Sequence, residues 1–398
     1  MLLAHLADLH LGYRAYHRLG PGGVNARERD VARAFQHAVD RLVGIRPDLV
    51  VVAGDVFHAV RPSNSAIADA FRQFARLSAL LGDVPILVIA GNHDSPRSVE
   101  TGSILRLLAE IPNIVVVDAD ARSVYLESLD TSVLCLPHNA LASAPQIAMQ
   151  PDRSAATNLL MLHGTITGGG AEQKLRYSSE YGGVLVDTSE IRPEQWDYVA
   201  LGHYHIATQL ADNMWYSGSM ERTSTNIWAE AAVDKGFVMF DTETRRAAFE
   251  TVPTRPVVDL PRISALGRSA AELDAGIRDR VADVPGGIAD KLVRIVITDI
   301  TRELFRDLDH RRLREYRAEA LHFHVDPRRP EVRRVVGFGV PGQRRTLDEE
   351  MVEFLEQHWT AAAPQGRTER LVELARQYLA EAGTAPADEP LIEFGAPS

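Results

Sequence analysis

Seven residues in the first 205 carry side chains that could share one task. Asp8, His10, Asp55, Asn92, His163, His203 and His205 offer carboxylate, imidazole and amide donors within five short clusters. The clusters read Asp8-Leu9-His10, Gly54-Asp55-Val56-Phe57-His58, Gly91-Asn92-His93-Asp94, His163-Gly164 and Gly202-His203-Tyr204-His205. Such donors, with no thiolate among them, suit a working divalent ion such as manganese, iron or zinc better than a closed structural zinc site. Seven groups are too many for one ion. They fit two ions about 3.5–4 Å apart bridged by a carboxylate, the arrangement used for in-line displacement at phosphorus. Asp55 is the natural bridge, because a carboxylate has two oxygens and an imidazole offers one nitrogen. His58 and His93 remain, and an imidazole beside two cations is suited to donating a proton or touching substrate.

Each cluster follows an apolar run that reads as a buried strand: 2–6, 49–53, 86–90, 159–162 and 198–201. Ligands of open α/β sheets bind outside the carboxyl ends of the strands, so five strand tips would bring these groups to one crevice. A lone Asp-x-His is usually a surface pair, and Gly-Asn-His-Asp alone is a common loop signal. Five fragments in order, each in its strand-end context, carry the argument instead.

In that order, D-x-H, G-D-x-x-H, G-N-H-D, H-G and G-H-x-H resemble the calcineurin-like metallophosphoesterases, and within them the SbcD-type subunits of bacterial DNA double-strand-break nucleases. His58 stands where many phosphoprotein phosphatases of the superfamily have Asp, and Asp94 where they have Glu. The stretches 8–17 and 54–63, and Tyr216-Ser217-Gly218-Ser219 followed by Glu221-Arg222-Thr223, also resemble the break-repair nucleases. The resemblance implies an α/β fold: a two-sheet metallophosphoesterase sandwich flanked by helices, with a small α+β capping domain and a C-terminal helical tail. It implies two divalent metal ions, manganese foremost. Asp8, His10, Asp55 and His205 would hold one, and Asp55, Asn92, His163 and His203 the other. It further implies that His93, oriented by Asp94, stabilises charge on the phosphate or protonates the leaving oxygen, and that His58 positions the terminal nucleotide. Arg14, His17 and Arg61 would be DNA contacts, with a solvated loop as the plainer reading.

The expected organisation is a nuclease domain over 1–252, a proline-rich linker over 253–261 and a capping domain over 262–340. A helix at 268–282, a strand at 291–297, a helix at 302–317 and a strand at 320–325 are predicted within the last of these. A partner-docking helix-loop-helix follows over 346–383, and 384–398 is expected to be disordered. Leu347, Met351, Phe354 and Leu355 form one apolar stripe and Leu371, Leu374, Tyr378 and Leu379 another. Packing on the capping domain is one reading of them. Docking on a partner by apolar anchors at helical spacing is the other. By resemblance that partner is an SMC-like coiled-coil ATPase of the SbcC type, and no Gly-Lys-Ser/Thr phosphate loop exists in this chain. Segments over 66–80, with Ile67, Phe71, Phe74 and Leu77, and over 103–108 can present apolar faces on one side; by resemblance they would pair across a two-fold axis into a homodimer, and packing against their own sheet is the plainer reading.

Composition bounds the alternatives. The 398 residues, 45% hydrophobic, can bury a sizeable core, and the single Cys135 excludes an intrachain disulfide framework and is expected to be buried in a strand over 132–136. No secretory signal is expected, so the chain reads as cytoplasmic. The net charge of −11 resides mostly beyond residue 345, where 11 acids face 3 bases, whereas 301–345 holds 12 arginines against 7 acids. That stretch is either a phosphate-contacting surface or a solvated charged face. A phosphoesterase for small molecules or phosphoproteins is the competing enzyme, and a DNA scaffold with a vestigial metal site the competing non-enzyme.

Overall fold

The computed structural model describes residues 1–96, 102–143, 147–171, 183–330, 370 and 373–378. Seven strands precede residue 164: β1 Leu2–Leu6, β2 Leu49–Ala53, β3 Ile86–Ile89, β4 Ile114–Val117, β5 Arg122–Leu126, β6 Thr131–Leu136 and β7 Thr157–His163. After them come β8 Thr165–Thr167, β9 Leu185–Asp187, β10 Tyr198–Gly202, β11 Thr208–Ala211, β12 Met214–Tyr216, β13 Gly236–Asp241 and β14 Arg246–Thr251. Two six-stranded sheets result, ordered β14-β13-β1-β2-β3-β4 and β11-β12-β10-β7-β6-β5. The central strands β1, β2 and β3 pair in parallel, as do β6, β7 and β10. Parallel strands covered on both faces must be largely apolar, which is why the centres of these stretches read as Val, Leu, Ile, Ala and Met, while Nδ1 of the buried His5 in β1 pairs with the Tyr198 hydroxyl at 2.9 Å.

The two sheets face one another. Leu3, Leu49, Val51, Leu87 and Ile89 of the first pack with Val133, Cys135, Leu159, Met161 and Tyr198 of the second. The outer face of the first sheet is covered by helices α1, Ala26–Ile45, and α2, Asn64–Leu81, through Val31, Phe35, Phe74 and Leu77. Asn25 caps α1 by accepting from the Arg27 N–H, Ser63 caps α2 by accepting from Ala66, and Gly82 ends α2 at a φ of 71°. The sandwich is therefore a metallophosphoesterase-type α/β fold flanked by helices. Phe74 and Leu77 are fully buried in it and cannot form a dimer face, whereas Phe71 and Leu107 are exposed. The segment after Ser103 is a 3-10 helix, Ile104–Glu110.

A third, parallel sheet joins β15, Val257–Ser264, to β16, Leu292–Thr298, and β17, His322–Pro327. The proline-rich stretch expected to be a linker is thus largely an edge strand. Pro261 is accommodated where the β15–β16 register shifts between Leu260 and Ile263, because an edge strand at an irregularity can spare one N–H. Helix Ala270–Ala282 carries a full capping box between Ser269 and Glu272. The single helix expected over 302–317 is two, Arg302–Arg306 and His310–Glu319, since Asp309 accepts from the Arg312 N–H and starts a new helix. Met1–Pro330 forms one compact unit and Glu331–Ser398 a second. In the second, only 370 and 373–378 are described, all helical, so most of the tail segments 346–383 and 384–398 lie outside the described residues. Among the described residues no helix is long and apolar enough to cross a membrane.

Candidate metal centre

The five clusters meet at the carboxyl ends of β1, β2, β3, β7 and β10. Beyond the strands the first two run on together: Asp8 N donates to the Gly54 carbonyl at 3.0 Å, His10 N to that of Asp55 at 2.9 Å and Leu11 N to that of Val56 at 2.9 Å. Four candidate ligands hold positive φ: Asp8 52°, His10 47°, Asp55 52° and His203 102°. Each such conformation costs on the order of 1–3 kcal/mol for a non-glycine residue and collects at functional sites. The glycines of the motifs are required by close approach. A Cβ on Gly91 would stand 2.0 Å from Asp55 Oδ1, and one on Gly202 only 1.8 Å from the Ala53 carbonyl oxygen of the opposite sheet.

Two buried donor groups result, Asp8 with His10 and His205, and Asp55 with His163 and His203, each with ligand atoms within 4.8 Å of one another. His10 Nε2 and His205 Nε2 lie 2.9 Å apart. Asp55 Oδ2 sits between the groups, 3.3 Å from His163 Nε2 and 3.8 Å from His10 Nε2. Asn92 Oδ1 is 3.0 Å from His163 Nε2 and 3.1 Å from His203 Nδ1. His163 Nδ1 lies 2.8 Å from the Ala53 carbonyl, which can only accept, so the proton of the neutral ring belongs on Nδ1 and Nε2 offers a lone pair. A lone pair, an amide oxygen and a carboxylate oxygen converging in a dry site repel unless a cation lies among them. The donor set fits a binuclear divalent metal site with Asp55 between the two positions.

Without metal, a proton serves that purpose. Burial disfavours the His163 imidazolium, yet the Asp55 carboxylate overrides it and raises the pKa to about 9. Burial likewise works against the Asp55 carboxylate, and the charges of His163, His10 and His93 hold it well below the usual range.

His58 and His93 stand at the rim. Their rings stack at 5.2 Å, both lie near His10, and Tyr13, which the motifs do not include, contacts His58 edge-on at 4.9 Å. Nitrogens of His10, His58 and His93 come within 4.8 Å of one another. Asp94 takes a different place from the one expected. Its carboxylate accepts from Val56 N at 3.0 Å, Phe57 N at 2.8 Å and Gly91 N at 3.1 Å, so it ties the second cluster to the third. Burial and the neighbouring Asp55 charge raise it to about 7 against those three donors. His93 is oriented instead by the His58 carbonyl, 2.7 Å from its Nδ1, and its own N–H donates to Asp55 Oδ1 at 2.9 Å. Arg14, His17 and Arg61 are exposed, and Arg14 donates to Glu28 at 2.7 Å.

Support comes from far along the chain, from the 216–219 stretch noted in the sequence and from Lys235 and Glu230, which no motif marks. Lys235 is fully buried; its Nζ donates to the His205 carbonyl at 2.7 Å and to Ser219 Oγ at 3.0 Å and pairs with Glu230. Tyr216 accepts from Ile166 N at 2.9 Å and donates to the Gly164 carbonyl at 2.7 Å, fixing the turn after His163. Asp8 accepts from His203 N at 3.0 Å, fastening the last cluster to the first.

A family model described as calcineurin-like phosphoesterase matches residues 1–207. Similar curated proteins are named DNA double-strand break repair protein Mre11. That of Methanocaldococcus jannaschii is 28% identical over 252 residues, 61% of this chain and 62% of that protein. The Methanococcus maripaludis protein is 37% identical over 111 residues, 28% of each chain. The Sulfolobus acidocaldarius protein is 28% identical over 209 residues, 52% of this chain and 50% of that one. The chain thus spans less than two thirds of the length of these relatives.

Proposed function

The chain belongs to the calcineurin-like phosphoesterase family, and from that premise we propose that it is a metal-dependent DNA nuclease that processes broken ends, of the SbcD type. The observation that carries the reading is Asp55, a fully buried carboxylate whose Oδ2 lies between two imidazole groups, 3.3 Å from His163 Nε2 and 3.8 Å from His10 Nε2. Asp8, His10, Asp55 and His205 would hold one divalent ion, and Asp55, Asn92, His163 and His203 the second, with manganese the expected metal. When bound, the pair supplies Lewis-acid activation of a phosphodiester and of the attacking water. His93, its Nδ1–H held by the His58 carbonyl, would as the imidazolium donate its Nε2 proton to the leaving oxygen or hydrogen-bond the phosphate through it. His58 and Tyr13, at the rim beside it, position the terminal nucleotide. Similarity to proteins named for break repair supports DNA over small esters as substrate.

The same reading extends to 3′-end exonuclease and single-strand endonuclease action, a cytoplasmic setting, an SbcC-type ATPase partner for the tail and a homodimer. For the last, the apolar strip of exposed Ala68, Phe71 and Leu107 with half-buried Ile67 and Ala75 is the surface to test, by light scattering of wild type and Phe71→Glu. Purified protein with manganese should shorten linear duplex DNA and nick single strands, and EDTA should abolish both. Hydrolysis of aryl phosphodiesters or cyclic nucleotides with DNA left intact would instead establish the small-molecule alternative.

A further inference from the structure

A cleft outside the metal centre carries more positive charge than the fold can use. Arg29 and Arg33 lie one turn apart on α1, and the cleft of about 250 Å³ beside them is also lined by Arg18, Arg255, Asp30 and Asp290. Four guanidiniums against two carboxylates leave +2. Asp30 is fully engaged: it accepts from Arg27 at 2.9 Å and from two nitrogens of Arg255 at 2.5 and 2.6 Å. Arg18 donates to the Ala318 carbonyl at 2.8 Å. Among the described residues, Arg29 and Arg33 form no ion pair. Arg29 is nonetheless held in place, since its guanidinium lies against the bare Cα of Gly20, where a Cβ would stand 2.3 Å from Nη1.

Like charges at this helical spacing repel, and the one carboxylate between them in the sequence, Asp30, is already taken up by Arg27 and Arg255. Guanidinium forks match the oxygens of a phosphate group and bind it in pairs. We propose that this cleft is a phosphate-binding site, with Arg29 and Arg33 as its donors, and that it grips the sugar-phosphate backbone of a DNA strand away from the cut. The choice of DNA as the source of that phosphate rests on the nuclease reading above. The cleft lies where the first helix meets the three-stranded module, through Asp290 and Leu321, so a strand held there would span both.

The test is the salt dependence of duplex oligonucleotide binding, read by fluorescence anisotropy in EDTA so that no cleavage occurs. Each lost phosphate contact lowers the slope of log affinity against log salt by about 0.9. Arg33→Gln should therefore lower it by about 0.9 and Arg29→Gln with Arg33→Gln by about 1.8, while Arg33→Lys retains it. Hydrolysis of a bis-aryl phosphodiester, which needs only the metal centre, should be unchanged in all three. An unaltered slope in the double variant overturns the site; if Arg29→Gln impairs folding, an unaltered slope in Arg33→Gln, at an exposed position, overturns it alone. Should wild type bind no DNA at all, the nuclease reading fails separately, and inorganic pyrophosphate becomes the probe. A rise in wild-type melting temperature with pyrophosphate that the double variant lacks keeps the cleft as a site for a free phosphate ligand, and no rise in wild type removes it.

Discussion

Proton and metal compete for His163, and the competition has a measurable sign. In the metal-free protein Asp55 raises this imidazole to about 9, so at neutral pH its Nε2 carries a proton that a divalent ion must displace. Metal affinity should then increase with pH up to about 9, roughly tenfold per unit while one proton is released. Calorimetry in buffers of different ionisation heat measures that proton directly, and an affinity flat from pH 6 to 8 would contradict the assignment. His93 tests the division of labour between holding metal and moving protons. Because its Nδ1 is engaged by the His58 carbonyl, His93→Ala should leave metal content near wild type and lower turnover by about 10²–10⁴. Loss of metal from that variant would place His93 among the ligands, as its nearness to His10 and His58 allows. That the candidate ligands come together was legible because chemistry restricts residue type. The role of Asp94 was not, since sequence shows a carboxylate beside His93 but not the three backbone N–H groups it accepts.

At the scale of elements, the strands leading into the clusters were legible to within two residues, because a strand buried on both faces is apolar over most of its length; β7 starts earlier than its apolar run, at Thr157. What escaped was structure specified by distant partners. β15 passes through a proline-rich stretch and becomes a strand only because β16 lies beside it, and the break between Arg306 and His310 is set by the Asp309 cap within a segment whose mixed charges continue across it. Lys235 reaches the site from β13's leading edge through the His205 carbonyl, a contact no motif announces. The approach of the two sheets gives this scale its own prediction. Gly202→Ala would drive a methyl to 1.8 Å from the Ala53 carbonyl and 2.7 Å from His163 Nδ1. Backbone cannot yield as a side-chain tip can, so the sheets must part. A loss of about 1–3 kcal/mol or more is expected in denaturant unfolding, with weakened metal binding. Wild-type stability in that variant would mean the sheets are not so tightly joined at the site.

For the whole molecule, on the proposed nuclease reading with a docking tail, the position of the candidate ligands along the chain separates hydrolysis from partner docking. Every candidate ligand lies between Asp8 and His205, within the compact unit that ends at Pro330. Removing everything after residue 345 takes away both apolar stripes and 8 of the 11 net negative charges, and leaves every one of those ligands in place. Manganese-dependent hydrolysis of DNA by the isolated subunit should therefore persist, while co-purification with the coiled-coil ATPase should be lost. In the short helical stretch 373–378, Leu374 and Tyr378 are exposed and stand four residues apart, the spacing by which an amphipathic helix presents anchors to a groove. Leu374→Glu would place a charge in that contact, where an unpaired buried carboxylate costs several kcal/mol, so it should weaken partner binding without altering hydrolysis. Undiminished ATPase binding by the truncated chain would refute the docking role. A truncated chain that unfolds would refute it too, because the tail would then be part of the structure that supports the metal centre.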